Sequence, residues 1–373
     1  MLIGVPKEIK PQEYRVGLVP ASVREAVAQG HTVLVETGCG AGINYTDDDY
    51  RAAGAQIAPD AAGVFAAADM IVKVKEPQAG EIAMLRAGQI LFTYLHLAAD
   101  AEQTRGLLES GCIAIAYETV TGTNGRGLPL LEPMSEIAGR MAIQVGGGLL
   151  FRHLGGCGRF IGGSPGVEAA RVVILGGGVA GFNAARMAVG LEADVTILEK
   201  DHDQIRVLDK YFGNRARVVQ SGRDAVERYV TGADLVVGAV LVPGASAPKL
   251  VSREMVARMR AGSVLVDIAI DQGGCFETSR PTTHNDPTYI VDGVIHYCVA
   301  NIPGAVPVTS AHALNNAVLP YALQLAGKGW RRALGDNPAL RAGLNICAGA
   351  VTHRGVAESL GLPFVADPAA LKE

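Results

Sequence analysis

One stretch, RVVILGGGVAGFNAARMAVGLEADVTILEKD (residues 171–201), restricts this chain more than any other. An apolar strand, Arg171–Leu175, runs into Gly176-x-Gly178-x-x-Gly181. A helical segment, Ala180–Val189, follows, and a second strand, Asp194–Glu199, ends on an acid. A lone glycine motif says little. A strand before it, a helix after it and an acid about 20 residues on give it meaning. Gly176 permits the tight turn, Gly178 lets backbone approach a pyrophosphate, and Gly181 lets helix and strand pack closely. The helix N-terminus offers N–H donors and a positive dipole end to phosphates. Glu199 can accept hydrogen bonds from the adenosine ribose and disfavours a 2′-phosphate, so NAD is expected over NADP. Lys200 beside it works against that preference.

The rest of the chain alternates in the same way. Leu2–Pro6, His31–Glu36, Asp69–Val74, Gln89–Leu95 and Cys112–Tyr117 are strand-like, and Pro20–Gly30 is helical. Past the glycine motif come Arg217–Gln220, Asp234–Ala239 and Ser263–Asp267, then Tyr289–His296 with a hairpin signal at Asp292-Gly293. This order predicts parallel sheets with crossover helices. Between the blocks, TVTGTNGRGLPLL (Thr119–Leu131) reads as a hinge. A long helix, Pro133–Leu154, follows it, with Ser135 as N-cap and Gly146–Gly148 packed against a neighbour. From Ser310 the chain turns helical and is too short for a third domain, so it returns to the first. The expected fold is α/β: two doubly wound, Rossmann-like domains separated by an active-site cleft. Residues 1–130 plus 305–373 form a substrate domain, and 131–304 bind the dinucleotide.

The 47 glycines in 373 residues show no G-x-y period and cluster between apolar runs, which suits turns rather than collagen. A net charge of −4 carries no basic excess for nucleic acid or an anionic membrane. The 6 cysteines form no C-x-x-C pair and no Cys/His cluster of zinc spacing, so reduced thiols and no metal are expected. The N-terminus does not read as a signal peptide, and no apolar run approaches the ~18 residues of a membrane span. A cytoplasmic protein is the expectation.

Ligands of parallel α/β sheets sit at the carboxyl ends of strands. Leu2–Pro6 is followed by a loop with Lys7, Glu8, Lys10 and Arg15. Lys75 ends Asp69–Val74, His96 ends Gln89–Leu95, and Asp271 follows Ser263–Asp267. The planar fork of Arg15 suits a carboxylate. Lys75 suits the same carboxylate or a carbonyl oxygen. Histidine as a residue type suits a proton carrier near neutrality, which makes His96 a candidate, and Asp271 suits an amine or a water. Against this, a loop cation is usually only solvated and a lone histidine only structural. Lys73 shares the side-chain parity of Lys75, so spacing does not choose between them.

Along its whole length the sequence resembles the NAD-dependent L-alanine dehydrogenases. The segments GVPKEIKPQEYRVGLVP, VKVKEPQ, TYLHLA, LEPMSEIAGRMA, ILGGGVAGFNAARMA, VDIAIDQGGCFETSRPTT and YCVANIPGAVPVTS carry the resemblance. It implies reversible conversion of L-alanine, water and NAD to pyruvate, ammonia and NADH. It implies substrate binding by Arg15 and Lys75, choosing Lys75 over Lys73, and acid–base roles for His96 and Asp271. Met134 and Ser135 match positions near the nicotinamide. Gly176, Gly178, Val179, Ala180, Gly181, Ser221, Val240, Leu241, Ile268, Asp271, Arg280, Val299, Asn301 and Ile302 match further cofactor positions. Glu199 stands where the family usually has Asp, and Gln204 where relatives often carry Arg or Lys near the adenine. A homohexamer is implied. The alternatives are the NAD-binding part of a proton-pumping transhydrogenase, a saccharopine-type dehydrogenase and a non-catalytic NAD-binding protein.

Overall fold

Short apolar runs bounded by glycine and acidic residues become strands throughout the computed structural model, which describes residues 1–240 and 247–366. They gather into two compact units. One holds the described residues of Met1–Pro133 and Val306–Glu373, the other those of Met134–Ala305. The chain thus crosses at 133/134 and 305/306, rather than at 130/131 and 304/305. The first crossing falls inside the opening turn of the helix Glu132–Leu149, which starts before it.

The first unit begins with β1 (Leu2–Val5), β2 (Thr32–Glu36), β3 (Gln56–Ala58), β4 (Met70–Val72), β5 (Ile90–Thr93) and β6 (Ile113–Ala116). These pair in parallel in the order β3-β2-β1-β4-β5-β6. Every residue of β4, β5 and β6 is buried. That is the signature of a parallel sheet covered on both faces, and it explains why these strands read as unbroken apolar runs. The winding reverses between β1 and β4, where open sheets of this kind leave a ligand crevice.

In the second unit β7 (Arg171–Leu175), β8 (Asp194–Glu199), β9 (Arg217–Gln220), β10 (Leu235–Gly238), β11 (Val264–Asp267), β12 (Thr288–Val291) and β13 (Val294–Tyr297) form one sheet. Its order is β9-β8-β7-β10-β11-β13-β12, with the reversal between β7 and β10. Alternate residues serve opposite cores. Val172, Ile174, Leu235, Val237, Val264 and Val266 bury on one face, and Val173, Leu175, Val236 and Leu265 on the other. Each such side chain contributes about 1.5–3 kcal/mol by leaving water. β12 is antiparallel to β13, and Asp292 and Gly293 take φ of 50° and 81° in the turn between them. Positive φ at both turn residues is what a tight two-residue hairpin needs.

The C-terminal return closes the first sheet. The helix Pro307–Lys328 leads to β14 (Leu344–Cys347), antiparallel to β6, and to β15 (Ala350–Val351). The sequence reading named no strand here.

Ser135 is not an N-cap. The helix starts at Glu132 and ends at Leu149, so Ser135 lies within its first turns and residues 150–154 lie outside. Gly146 and Gly147 are packed as expected: a Cβ would meet Leu235 Cδ1 at 2.6 Å and Ile161 Cδ1 at 3.2 Å. Gly148 has open space around it, so packing does not explain it. Among the described residues, no helix is long and apolar enough to cross a membrane.

Candidate active site

β5, β4 and β1 are neighbours and run in parallel, so their carboxyl ends lie in one row. The loop after β1 carries Arg15, the segment after β4 carries Lys75, and the end of β5 leads to His96. The first unit therefore brings these three residues to one edge, beside the reversal point.

Arg15 is not a solvated loop cation. It is 2% exposed, and Glu13 grips it. Its Nε donates to Glu13 Oε1 at 2.7 Å, its Nη2 to Oε2 at 2.5 Å and its own backbone N–H to Oε1 at 3.0 Å. Burial alone would raise the Glu13 carboxyl, but Arg15, and more weakly Lys75, hold it below the ordinary range. Glu13 escaped the sequence reading, although an acid two residues from a candidate arginine in one loop is a usable signal.

The two lysines after β4 have different surroundings. The Lys73 ammonium is buried, donating to Glu8 Oε2 at 3.1 Å and Glu81 Oε1 at 2.7 Å. Lys75 is half-buried. The same Glu8 accepts from the backbone N–H of Val74 at 2.6 Å and of Lys75 at 3.4 Å, so it fixes the end of β4. Burial raises the Glu8 carboxyl despite Lys73. Lys73→Met would strand two buried carboxylates, and losing one partner of a buried ion pair costs roughly 3–5 kcal/mol. A thermal melt is expected to show the midpoint falling by several degrees. An unchanged midpoint would show that Lys73 does not stabilise this end of the sheet.

His96 is exposed, with its ring parallel to that of Tyr94 (5.9 Å between centroids, 10°). Tyr94 is buried and donates to Leu130 O at 2.5 Å. Burial raises the Tyr94 phenol, and the charge of Arg15 works against that rise.

In the second unit each glycine of the motif has a distinct setting. Gly176 has φ +92°, a left-handed conformation that few other residues adopt. A Cβ on Gly181 would lie 1.8 Å from Gly176 O. Around Gly178 nothing lies within 4 Å, and it caps the helix Val179–Gly190. That open, donor-rich end fits a dinucleotide pyrophosphate.

The Glu199 carboxylate is held by backbone N–H groups around it. Its Oε2 accepts from Gly177 N at 2.6 Å, and its Oε1 from Lys200 N at 2.6 Å and Asp201 N at 2.8 Å. Gln204 donates from Nε2 to Gly177 O at 2.6 Å. Acid and amide thus hold the Gly177 peptide from both ends, and Gln204 serves the loop.

The other candidate cofactor positions lie at the same carboxyl edge or on segments leading from it. Ser221 follows β9, with its N–H on Glu199 O. Val240 follows β10, and its Cγ2 would lie 3.3 Å from a Cβ on Gly176. Ile268 and Asp271 sit in the single-turn helix Ile268–Gln272 after β11, with Asp271 exposed. The Arg280 guanidinium lies over the Tyr289 ring at 4.1 Å. Val299 and Ile302 are buried, and Asn301 between them takes φ 64°. Met134 and Ser135 share a helix with Gly139, where a Cβ would lie 2.0 Å from Ala180 O, so that helix presses against the start of Val179–Gly190. Leu241 lies outside the described residues.

Asp267 was not singled out from the sequence, although, like Glu199, it is an acid ending a strand. It is fully buried and organises the loop that carries Asp271. It accepts from Ala269 N at 3.1 Å, from Cys275 N at 2.9 Å and from the Ser279 hydroxyl. Lys249 ties down the same loop through Gly273 O, Gly274 O and Phe276 O.

This pairing of a glycine-loop sheet with a second doubly wound sheet carrying a cationic strand edge marks a class of nucleotide-dependent enzymes, and family models make the assignment specific. Residues 4–138 match "Alanine dehydrogenase/PNT, N-terminal domain" and residues 142–354 match "Alanine dehydrogenase/PNT, C-terminal domain". The chain belongs to the alanine dehydrogenase/PNT family. It is 56% identical over 365 residues to the alanine dehydrogenase of Halomonas elongata, covering 98% of each chain. It is 54% identical over 371 residues to that of Mycobacterium tuberculosis, covering 100% of each. Among solved structures, an L-alanine dehydrogenase superposes with a TM-score of 0.93 at 52% identity, covering 97% of this chain and 99% of that one. A transhydrogenase from Sinorhizobium meliloti reaches 0.81 at 25% identity, covering 95% and 99%.

Proposed function

We propose that this protein is an alanine dehydrogenase that converts L-alanine, water and NAD to pyruvate, ammonia and NADH, and catalyses the reverse. The observation that carries the reading is the row of Arg15, Lys75 and His96 on three adjacent parallel strand ends. NAD, when bound, would supply the hydride acceptor. Gly176, Gly178 and Gly181 with the N-terminus of Val179–Gly190 would hold its pyrophosphate. Glu199 would face its adenosine ribose.

The protein's own groups handle the amino acid. Arg15 and Lys75 bind the carboxylate, and Asp271 holds the amine. Oxidation at Cα leaves an iminium carbon. Water adds to that carbon as His96 takes a proton from it. The nitrogen then takes up a proton while the new hydroxyl gives up its own, so the C–N bond breaks, ammonia leaves and the carbonyl of pyruvate forms. Such acid–base help is typically worth about 10²–10⁴-fold. We propose a homohexamer acting in the cytoplasm.

The test is NADH formation with L-alanine, run beside L-serine, L-lysine and D-alanine. L-alanine is expected to be the best substrate. Hydride exchange between nucleotides with no response to any amino acid would favour a transhydrogenase component instead.

The pinned carboxylate of Glu199 also sets an expectation for the cofactor. A 2′-phosphate adds up to about two negative charges beside it. Steady-state kinetics should give NAD a kcat/KM at least about tenfold above that of NADP, a difference of ~1.4 kcal/mol. Equal values would remove Glu199 as the discriminating group.

A further inference from the structure

We propose that Glu118 is a positioning residue for His96: its carboxylate holds the backbone turn that aims the imidazole. The proposal rests on the alanine dehydrogenase reading of this site and adds a residue to it. His96 has φ 52° and ψ 36°, the left-handed region. That conformation is strained for a residue with a Cβ, so the surroundings must impose it. In such a turn successive backbone N–H groups converge into a small anion-binding hollow. Glu118 fills that hollow. It comes from the single-turn helix Tyr117–Thr119 after β6, the neighbour of β5.

Glu118 Oε1 accepts from His96 N at 2.6 Å, and both of its oxygens lie 3.2 Å from Leu95 N. Among the described residues its hydrogen bonds go to these two N–H groups. The far side of the turn is fixed separately. Gln103 donates to Leu95 O at 3.0 Å, Thr104 donates to Leu97 O at 3.2 Å, and the helix Arg354–Leu360 packs on Leu97–Ala99. The His96 carbonyl accepts from Ala99 N at 3.1 Å, so what depends on Glu118 is the N–H side of the turn at Leu95 and His96. Without the carboxylate two N–H groups lose their acceptor. His96 can then relax to negative φ, which swings its Cα–Cβ bond and takes the ring off Tyr94.

The experiment uses the full chain as Glu118→Gln, Glu118→Asp, His96→Ala and the double variant His96→Ala/Glu118→Gln, each checked by circular dichroism. Glu118→Gln is expected to lower kcat for L-alanine by about tenfold or more, within the range that acid–base help can supply. NADH affinity should stay within about twofold, because the loss is in the chemical step. Glu118→Asp should recover part of the rate. On the His96→Ala background Glu118→Gln should cost nothing further, and the limb of the kcat/KM pH profile that His96→Ala abolishes should be displaced in Glu118→Gln. If Glu118→Gln does not fold, Glu118→Asp takes its place in both comparisons. A normal kcat in the Glu118 variant beside a collapsed His96→Ala overturns the positioning role and leaves the enzymatic reading standing. An equal loss on both backgrounds also overturns it, because Glu118 would then act independently of His96. Failure of the unaltered protein to oxidise L-alanine overturns the enzymatic reading itself, and the proposal with it.

Discussion

Gly181→Ala is expected to abolish useful dinucleotide binding, while Gly178→Ala spares the fold and still weakens binding. At position 181 a Cβ would lie 1.8 Å from Gly176 O and 2.9 Å from Gly176 C. Both are backbone atoms of the turn itself, so no side chain can yield. Relief requires the loop and the start of Val179–Gly190 to separate, which moves the N–H donors that face the phosphates. Overpacking of this kind costs typically ~1–3 kcal/mol, and displaced phosphate contacts add to that. NADH affinity measured by fluorescence titration should fall by at least about a hundredfold, or ~2.7 kcal/mol.

At position 178 the added methyl meets nothing within 4 Å, and the backbone φ of −66° suits any residue. The thermal midpoint should therefore hold. Affinity should still drop, because the methyl occupies the space a pyrophosphate needs. Full affinity in Gly178→Ala would place the nucleotide elsewhere.

His96→Ala gives the second large effect. The exposed imidazole at the end of β5 is assigned the proton transfers. Its removal should lower kcat by about 10²–10⁴-fold. NADH binding should persist, because the glycine loop belongs to the other unit. Turnover within a few-fold of the unaltered protein would take His96 out of the mechanism.

Much of the fold was legible from the sequence, for reasons visible in the structure. β7, β8 and β9 have the bounds their sequences suggest, each stopped by a glycine, an acid or a polar residue. Doubly buried parallel strands read as apolar runs, and the glycines mark the turns between them. β14 and β15 were missed because Ala348, at φ 48°, makes the hairpin turn with Gly349, and an alanine does not announce a left-handed turn. β3 is three residues long and opens on a glutamine, too short to show a strand pattern.

The candidate site was legible only at its ionisable tips. Apart from Glu13, which shares a loop with Arg15, the partners of the charged groups were not, because they come from other strands or turns. Glu118 reaches His96 from the next strand end, and Glu8 reaches Lys73 across 65 residues. Parity along the sequence segment Asp69–Lys75 puts Lys73 and Lys75 on the same side. Glu8 and Glu81, which bury one of them, lie on different elements.

The most direct test is a crystal structure of the protein with pyruvate and NAD. The pyruvate carboxylate is expected within hydrogen-bonding distance, about 2.7–3.2 Å, of nitrogens of Arg15 and Lys75, with His96 beside the carbonyl carbon. Pyruvate bound away from both cations would contradict the account.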